Sequence, residues 1–174
     1  MMTAIQAFAA RPALRFWSMA LMGSAVLAAS AQVSLPMWPV PATLQTLAVL
    51  LLGALGGSRM GAAAVLLYLA EGAMGLPVFA HGTGGPAALM GPTAGFLLGF
   101  VASAWIAGLA GRGALRQAMV LTVAHLVVFV PGIAWLASFV GWEKAWMAGF
   151  LLFVPGTAVK TALAFATMRA LRRG

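Results

Sequence analysis

Long apolar runs, separated by glycine, proline or isolated charges, fill almost the whole chain. A run of about 20 apolar residues is long enough to cross a bilayer as a helix, and Gly/Pro pairs and charges mark where such helices end. The pattern predicts helices at about 16–33, 43–57, 59–76, 93–110, 115–139 and 143–169, the last one broken near residue 155. A glycine-rich stretch over residues 77–92 joins the third helix to the fourth.

The composition supports a membrane protein. Of the 174 residues, 63% are hydrophobic and only 7% are charged, whereas a soluble domain carries about 25% charged residues. Such a chain cannot cover a water-facing surface. We therefore predict an all-α, polytopic membrane protein with six transmembrane helices, forming a single transmembrane domain over residues 1–174. The chain has no cysteine, which excludes disulfides and thiolate metal sites.

The basic residues predict the orientation. Short cytoplasmic loops of membrane proteins are enriched in Lys and Arg. With both termini cytoplasmic, eight of the ten basic residues fall on that side, and an odd number of spans would break the pattern. The eight are Arg11, Arg15, Arg59, Arg112, Arg116, Arg169, Arg172 and Arg173. The net charge of +8 does not indicate nucleic-acid binding, because the basic residues stand singly or in pairs between apolar runs.

The first apolar run has a second interpretation, as a secretory signal. Arg11 and Arg15, an apolar run and then Ala29-Ser30-Ala31 resemble such a signal with its cleavage site. Cleavage before Gln32 would leave five helices in the same orientation. A run rich in Ala, Gly and Ser also suits a packed membrane helix.

Signatures of enzymes and nucleotide sites are largely missing. The segment 156–161 lacks the glycine that must precede the lysine of a phosphate-binding loop, because Val159 stands there. No Gly-x-Ser-x-Gly motif is present, although His125 could serve as the base of an intramembrane hydrolase. Two histidines and two acids without a cysteine argue against a metal site.

Lys160 is the strongest candidate for ligand binding. It lies ~13 Å from the inner end of the sixth predicted helix, where a lysine costs ~2.5–3.5 kcal/mol to insert. A helix restarting near Pro155, Gly156 and Thr157 would direct its positive end into the membrane interior. Together these groups predict a site for a carboxylate. The alternative is a structural ion pair between Lys160 and Glu71.

Other polar residues fall in the predicted helices and external loops. Glu71 and Tyr68 are one turn apart on the third helix, and His125 lies inside the fifth, where it could contact a ligand or pack. Thr43 could simply cap the second helix, whereas a buried Gln45 needs hydrogen-bonding partners. The glycines of residues 81–85 allow the backbone to pass close over a ligand, although a merely flexible loop is the alternative.

Three segments resemble the BioY family of biotin-binding S components of energy-coupling factor (ECF) transporters. They are Met37-Trp-Pro-Val-Pro-Ala-Thr-Leu-Gln-Thr, Gly75-Leu-Pro-Val-Phe-Ala-His-Gly-Thr-Gly-Gly85 and Gly91-Pro-Thr-Ala-Gly-Phe-Leu-Leu-Gly-Phe100. The resemblance extends over roughly residues 20–168. It implies a bundle of six helices with an outward-facing biotin pocket, no enzymatic step, no cofactor and a place in the bacterial cytoplasmic membrane.

The resemblance also implies which residues bind biotin. Thr43, Gln45, Thr83, Gly84, Gly85 and Thr93 fall in its pocket-forming motifs. The family usually reads Pro-Gly-Asp-x-x-Lys near the C-terminus, with the acid and the lysine at the ligand. Here Pro155, Gly156 and Lys160 match, but Thr157 replaces the acid and cannot accept hydrogen bonds as a carboxylate does. We expect an apolar pocket for the bicyclic ring, with Gln45 and the Thr83 loop at its polar edges and Lys160 at the carboxylate.

Family members associate with a transmembrane coupling protein and a pair of ATPases, which the resemblance implies as partners here. A stripe of small residues on the first helix is a candidate interface for them, or else packs inside the bundle. The stripe consists of Ala20, Ser24 and Ala28, with Ala25 and Ala29 beside them. The nearest rival function is an S component for another vitamin, such as thiamin or riboflavin, and a structural membrane protein without a substrate is a further alternative.

Overall fold

The computed structural model describes residues 11–171, and within that range almost all regular structure is helical. The nine α-helices of this range are α1 (Pro12–Gln32), α2 (Gln45–Gly56), α3 (Ser58–Ala73), α4 (Pro86–Leu89), α5 (Ala94–Ala107), α6 (Ala114–Val127), α7 (Phe129–Val140), α8 (Trp142–Gly149) and α9 (Val154–Leu171). A two-stranded antiparallel hairpin, β1 (Ser34–Leu35) and β2 (Ala42–Thr43), connects α1 to α2. Short 3₁₀ turns cover Ala80–Gly82 and Leu151–Phe153. The all-α fold class is confirmed.

Three helical segments of the described range are long and apolar enough to cross a membrane. They are Pro12–Gln32, Ala114–Val140 and Trp142–Leu171, and Gln45–Gly56 and Ala94–Ala107 are shorter apolar helices. These segments and α3 lie close to the six predicted helices, but a count of six spans remains a prediction. Arg172 and Arg173, which entered the orientation argument, lie outside the described residues.

Two prolines explain where the last two long segments are interrupted. A proline has no N–H for the carbonyl four residues earlier, and its ring pushes that carbonyl away. The interruption at Val128 comes three residues before Pro131, and α7 begins at Phe129. Phe150 leaves the helical region (φ −130°, ψ −64°) five residues before Pro155, which lies in the first turn of α9. The chain is therefore irregular over residues 150–153, and the last helix restarts at Val154, next to Pro155.

Close packing of the central helices depends on glycine. A Cβ built on Gly53 of α2 would lie 2.2 Å from the backbone oxygen of Ala104 in α5, and one built on Gly61 of α3 would lie 2.6 Å from Gly53 Cα. On the other side of α5, a Cβ on Gly95 would lie 2.3 Å from the Pro131 oxygen. Small residues allow membrane helices to approach this closely, and α5 thereby occupies the centre of the bundle.

The main buried cluster lies between α5 and its neighbours, close to the hairpin. Its aromatic members are Tyr68, Phe79, Phe96, Phe100 and Phe129. Phe129 makes edge-to-face contacts with Phe96 and Phe150, at centroid distances of 6.2 and 5.1 Å. The hairpin pairs Ser34 with Thr43 and thereby brings the start of α2 over this cluster.

We expect Gly53→Ala to destabilise the protein, because the added methyl group cannot coexist with the present α2–α5 distance. Overpacking of this kind typically costs about 1–3 kcal/mol. The matched control is Gly113→Ala, since a Cβ there would meet only Arg116 Cβ at 3.9 Å. Thermal unfolding of the detergent-purified variants, followed by circular dichroism, should show a lower midpoint for Gly53→Ala alone. Equal midpoints for the two variants would contradict this account of the packing.

Candidate ligand-binding site

Two neighbouring cavities lie beneath the hairpin and the glycine-rich loop. The larger one has a volume of about 190 Å³ and the smaller one about 50 Å³. Both are lined by Val40, Pro41, Thr43, Phe96 and Phe100. Gln45, Phe79, His81, Thr83 and Thr93 line only the larger cavity, whereas Thr46, His125, Phe129, Thr157 and Lys160 line only the smaller one. The walls are therefore mostly apolar, with a few polar groups, which is typical of small-molecule sites.

Lys160 reaches the smaller cavity from α9. Its ammonium donates hydrogen bonds to the backbone oxygen of Thr43 at 2.9 Å and to Thr46 Oγ1 at 3.0 Å. An ammonium has three N–H donors, and over residues 11–171 the third has no protein partner. The ion pair with Glu71 that the sequence allowed is not formed, since Glu71 accepts a hydrogen bond from Ser24 Oγ at 2.9 Å instead.

The electrostatic character of the cavities is positive. The titratable side chains that line them are His81, His125 and Lys160, while Glu71 and Glu143 line neither cavity. Thr157, in the first turn of the 18-residue helix α9, also lines the smaller cavity, and a helix N-terminus carries a partial positive charge. A cation in an apolar site without an anionic partner is costly, so the site is suited to an anion.

Gln45 is held in place by residues on two sides. Its Nε2 donates to the Tyr68 hydroxyl at 2.6 Å, and its Oε1 accepts from Thr43 Oγ1 at 3.1 Å. Its backbone N–H also donates to Thr43 Oγ1 at 3.3 Å, in the manner of a capping bond. Tyr68 is 0% exposed and contacts Phe79 edge-to-face at 5.3 Å. Tyr68 lines neither cavity and so lies behind the site, where it positions Gln45 and Phe79.

Of the predicted site residues in the glycine-rich loop, Thr83 lines a cavity, whereas Gly84 and Gly85 only hold the loop in place. Thr83 lines the larger cavity, and its hydroxyl donates to Ala80 O at 3.0 Å. Gly84 and Gly85 line neither cavity. Gly85 N donates to Gly72 O at 2.7 Å, and a Cβ on Gly84 would lie 2.2 Å from Leu76 O. These two glycines therefore fasten the loop to the end of α3.

Gln32, at the end of α1, is a support of the loop that the sequence did not reveal. Its Nε2 donates to Phe79 O at 3.1 Å, and its Oε1 accepts from Gly82 N at 3.1 Å. Gln32 is an amide at the predicted end of a membrane helix, and that position was its only signal. Thr46 lies in the same segment as Thr43 and Gln45, but it is not among the residues that the sequence predicts for the site.

The small-residue stripe of α1 packs mainly inside the bundle. Ala20 is 0% exposed and Ser24 1%, and Ser24 bonds Glu71 of α3. Ala28 is partly buried against the main cluster. Ala25 and Ala29 are exposed on the outer face of α1. Ala20 and Ser24 are therefore buried inside the bundle, where Ser24 contacts α3, and a partner interface on α1 stays a prediction.

Comparisons with known proteins agree on one family. A family model described as "BioY family" matches residues 2–174. The probable biotin transporter BioY of Pyrococcus horikoshii is 42% identical over 140 residues, which cover 80% of this chain and 85% of the relative. The biotin transporter BioY of Thermotoga maritima is 39% identical over 145 residues, covering 81% and 86%.

One solved structure has a similar fold along the whole chain. It is a crystal structure of the S-component for biotin from an ECF-type ABC transporter, with a TM-score of 0.83 and 23% sequence identity. The match covers 100% of this chain and 96% of that one. At this identity the likeness shows the fold alone.

We expect Gln32→Ala to loosen the loop over residues 79–82, because it removes the hydrogen bonds that the Gln32 amide makes with the backbone of Val78, Phe79 and Gly82. A hydrogen bond contributes about 0.5–1.5 kcal/mol, so the Gly82 amide should exchange with deuterium roughly 2- to 10-fold faster. Hydrogen–deuterium exchange of the peptide spanning residues 78–85 measures this. Ser30→Ala is the control, since the Ser30 hydroxyl bonds only Leu27 O within α1. Unchanged exchange in Gln32→Ala would mean that other contacts hold the loop.

Proposed function

The chain belongs to the BioY family, and from this membership we infer that it binds biotin and mediates its uptake across a membrane as the substrate-specific subunit of an ECF-type transporter. The relatives named above are biotin transporters, and the similar solved structure is a biotin S-component. The transported molecule is the ligand, and the function requires no cofactor and no chemical step.

The observation that carries this proposal is the unpaired ammonium of Lys160 in the smaller cavity. Two of its three donors are used by Thr43 and Thr46. Lys160 is half-buried, and a partly desolvated charge is stabilised by a partner of opposite sign that completes its hydrogen bonding. Biotin carries one carboxylate at neutral pH. We assign that carboxylate to Lys160 and to the first turn of α9.

The remainder of biotin fits the character of the larger cavity. Phe79, Phe96 and Phe100 supply apolar surface for the fused rings. Gln45 has one amide hydrogen beyond the one bonded to Tyr68, and we assign it, with Thr83 and Thr93, to the polar edges of the ring system. Thr157 contributes a hydroxyl at the carboxylate end, where the family usually has an acid. We assign no ligand contact to Glu71 or Tyr68.

We propose that the chain crosses the bacterial cytoplasmic membrane several times, with the cavities opening outward and both termini inside. A transmembrane coupling protein and a pair of ATPases would complete the transporter, since the chain has no phosphate-binding loop of its own. The exposed residues Ala25 and Ala29 remain available for such a contact. The hydrolase hypothesis is not adopted, because the relatives are transporters and His125 Nδ1 contacts a threonine.

We expect Lys160→Met to weaken biotin binding by roughly 10- to 100-fold, because a hydrogen bond to a charged group contributes about 1.5–3 kcal/mol. Methionine keeps an unbranched apolar chain of similar length. Binding of radiolabelled biotin to the detergent-purified protein measures the effect. Biotin methyl ester, which has no carboxylate, should bind the wild type and the variant equally.

The matched control for this substitution is Lys144→Met. Lys144 is exposed in α8 and lines neither cavity, so its removal should leave the biotin Kd unchanged. A wild-type protein that does not bind biotin would end the assignment of the substrate. A wild type that binds biotin, with the same Kd in Lys160→Met, would overturn only the role of the lysine.

The proposed orientation can be tested with single cysteines, because the natural chain has none. Arg112 and Lys144 are both exposed. With both termini inside, the six predicted helices place Arg112 in a cytoplasmic loop and Lys144, at the start of the sixth helix, on the external side. In intact cells, a membrane-impermeant maleimide should label Lys144→Cys, and it should label Arg112→Cys only after permeabilisation. Labelling of both variants, or of Arg112→Cys alone, in intact cells would contradict the orientation.

A further inference from the structure

His125 has a buried nitrogen that no group of residues 11–171 satisfies. The residue is 1% exposed, lies in the last turn of α6 and lines the smaller cavity together with Lys160. Its Nε2 is buried without a hydrogen-bond partner. Its ring stacks on Phe129 at 6.4 Å and 14°, which explains the ring plane but not the open nitrogen. A buried polar atom without a partner is costly, and the residue that carries it lines the proposed ligand site.

The hydrogen bond of the other ring nitrogen, Nδ1, determines whether Nε2 is a hydrogen-bond donor or an acceptor. Nδ1 lies 2.7 Å from Thr161 Oγ1, and the Thr161 hydroxyl is within 2.8 Å of Thr157 O. A hydroxyl has one hydrogen. When that hydrogen points to Thr157 O, Nδ1 carries the imidazole hydrogen and Nε2 is a bare acceptor. When the hydroxyl turns to donate to Nδ1, the imidazole hydrogen moves to Nε2, which becomes a donor.

We propose that His125 is a second hydrogen-bond donor to the carboxylate of the ligand, beside Lys160, and that carboxylate binding moves the imidazole hydrogen from Nδ1 to Nε2. This inference rests on the proposed function. The ring stays neutral throughout: Nδ1 gives up its hydrogen to water, and Nε2 takes one up. At the same time, the Thr161 hydroxyl rotates from Thr157 O to Nδ1.

The charge in the cavity determines which tautomer of His125 is favoured. In the site without ligand, His125 and the ammonium of Lys160 line the same cavity, and a bare lone pair on Nε2 is favourable near this cation. A carboxylate in the same space would repel that lone pair and would attract an N–H. The ligand charge therefore selects the donor tautomer.

The volume of the smaller cavity and the number of hydrogen-bond donors in it support a carboxylate there. The volume of about 50 Å³ exceeds the 10–15 Å³ or so that one water needs, but it is too small for a fused ring system. A carboxylate has two oxygens. Lys160 has one N–H left after its bonds to Thr43 and Thr46, and His125 Nε2 supplies the second donor.

Binding of the acid and of its ester separates this role from a structural one. We expect His125→Phe to raise the biotin Kd about 10-fold, the loss typical of a hydrogen bond to a charged group, and to leave the Kd of biotin methyl ester unchanged. His125→Gln, whose amide N–H can replace the Nε2 donor, should keep the biotin Kd within about 3-fold of wild type. Equal weakening of acid and ester in His125→Phe, or no weakening, would overturn the proposal.

Nitrogen-15 NMR of histidine-labelled wild-type protein tests the tautomer directly and does not depend on a variant folding. The chain has only two histidines, His81 and His125, and the signals that persist in His125→Gln belong to His81. Without ligand and with the methyl ester, His125 should carry its hydrogen on Nδ1, and with biotin on Nε2. The same tautomer with and without biotin would overturn the proposal. Failure of the wild type to bind biotin would instead remove the proposed function.

Discussion

The architecture of the site depends on the solvation of one ammonium inside an apolar bundle. Lys160 takes its two protein acceptors from residues 117 and 114 positions away along the chain, at the junction of β2 and α2. These bonds fix α9 against the start of α2, beside the smaller cavity. Among residues 11–171 no carboxylate lines this space, so this part of the chain leaves the charge itself without a partner. An apolar interior with an incompletely satisfied cation favours a ligand that is mostly apolar and carries one negative charge.

Much of this arrangement could be predicted from the sequence, because membrane helices leave strong patterns. Length, hydropathy and proline spacing located the helical segments to within a few residues. The insertion cost of a lone deep lysine singled out Lys160, which does line the smaller cavity. Thr43, Gln45, Thr83, Thr93 and Thr157 also line the cavities, although their contacts with a ligand stay predictions.

The features that sequence could not provide depend on rotation about helix axes and on long-range neighbours. Glu71 and Tyr68 are three residues apart, yet Glu71 turns toward Ser24 of α1 and Tyr68 toward Gln45 of α2. The stripe of small residues on α1 could pack against a helix of the bundle or against an external partner, and only the position of α3 distinguishes between them. The interruption before α9 covers residues 150–153, since a proline disturbs the turn that precedes it more than its own position. Gln32 and His125 depend on partners that no local pattern predicts.

Thr43 serves the hairpin and the lysine at once. Thr43 pairs with Ser34 across the hairpin, its hydroxyl donates a hydrogen bond to Gln45, and its carbonyl oxygen accepts one from the Lys160 ammonium. Any displacement of the hairpin that moves this residue therefore also withdraws an acceptor from an ammonium in a medium of low dielectric constant. The hairpin and the cation are thermodynamically linked: a solute that neutralises Lys160 lowers the cost of moving the hairpin, whereas an unoccupied pocket raises it.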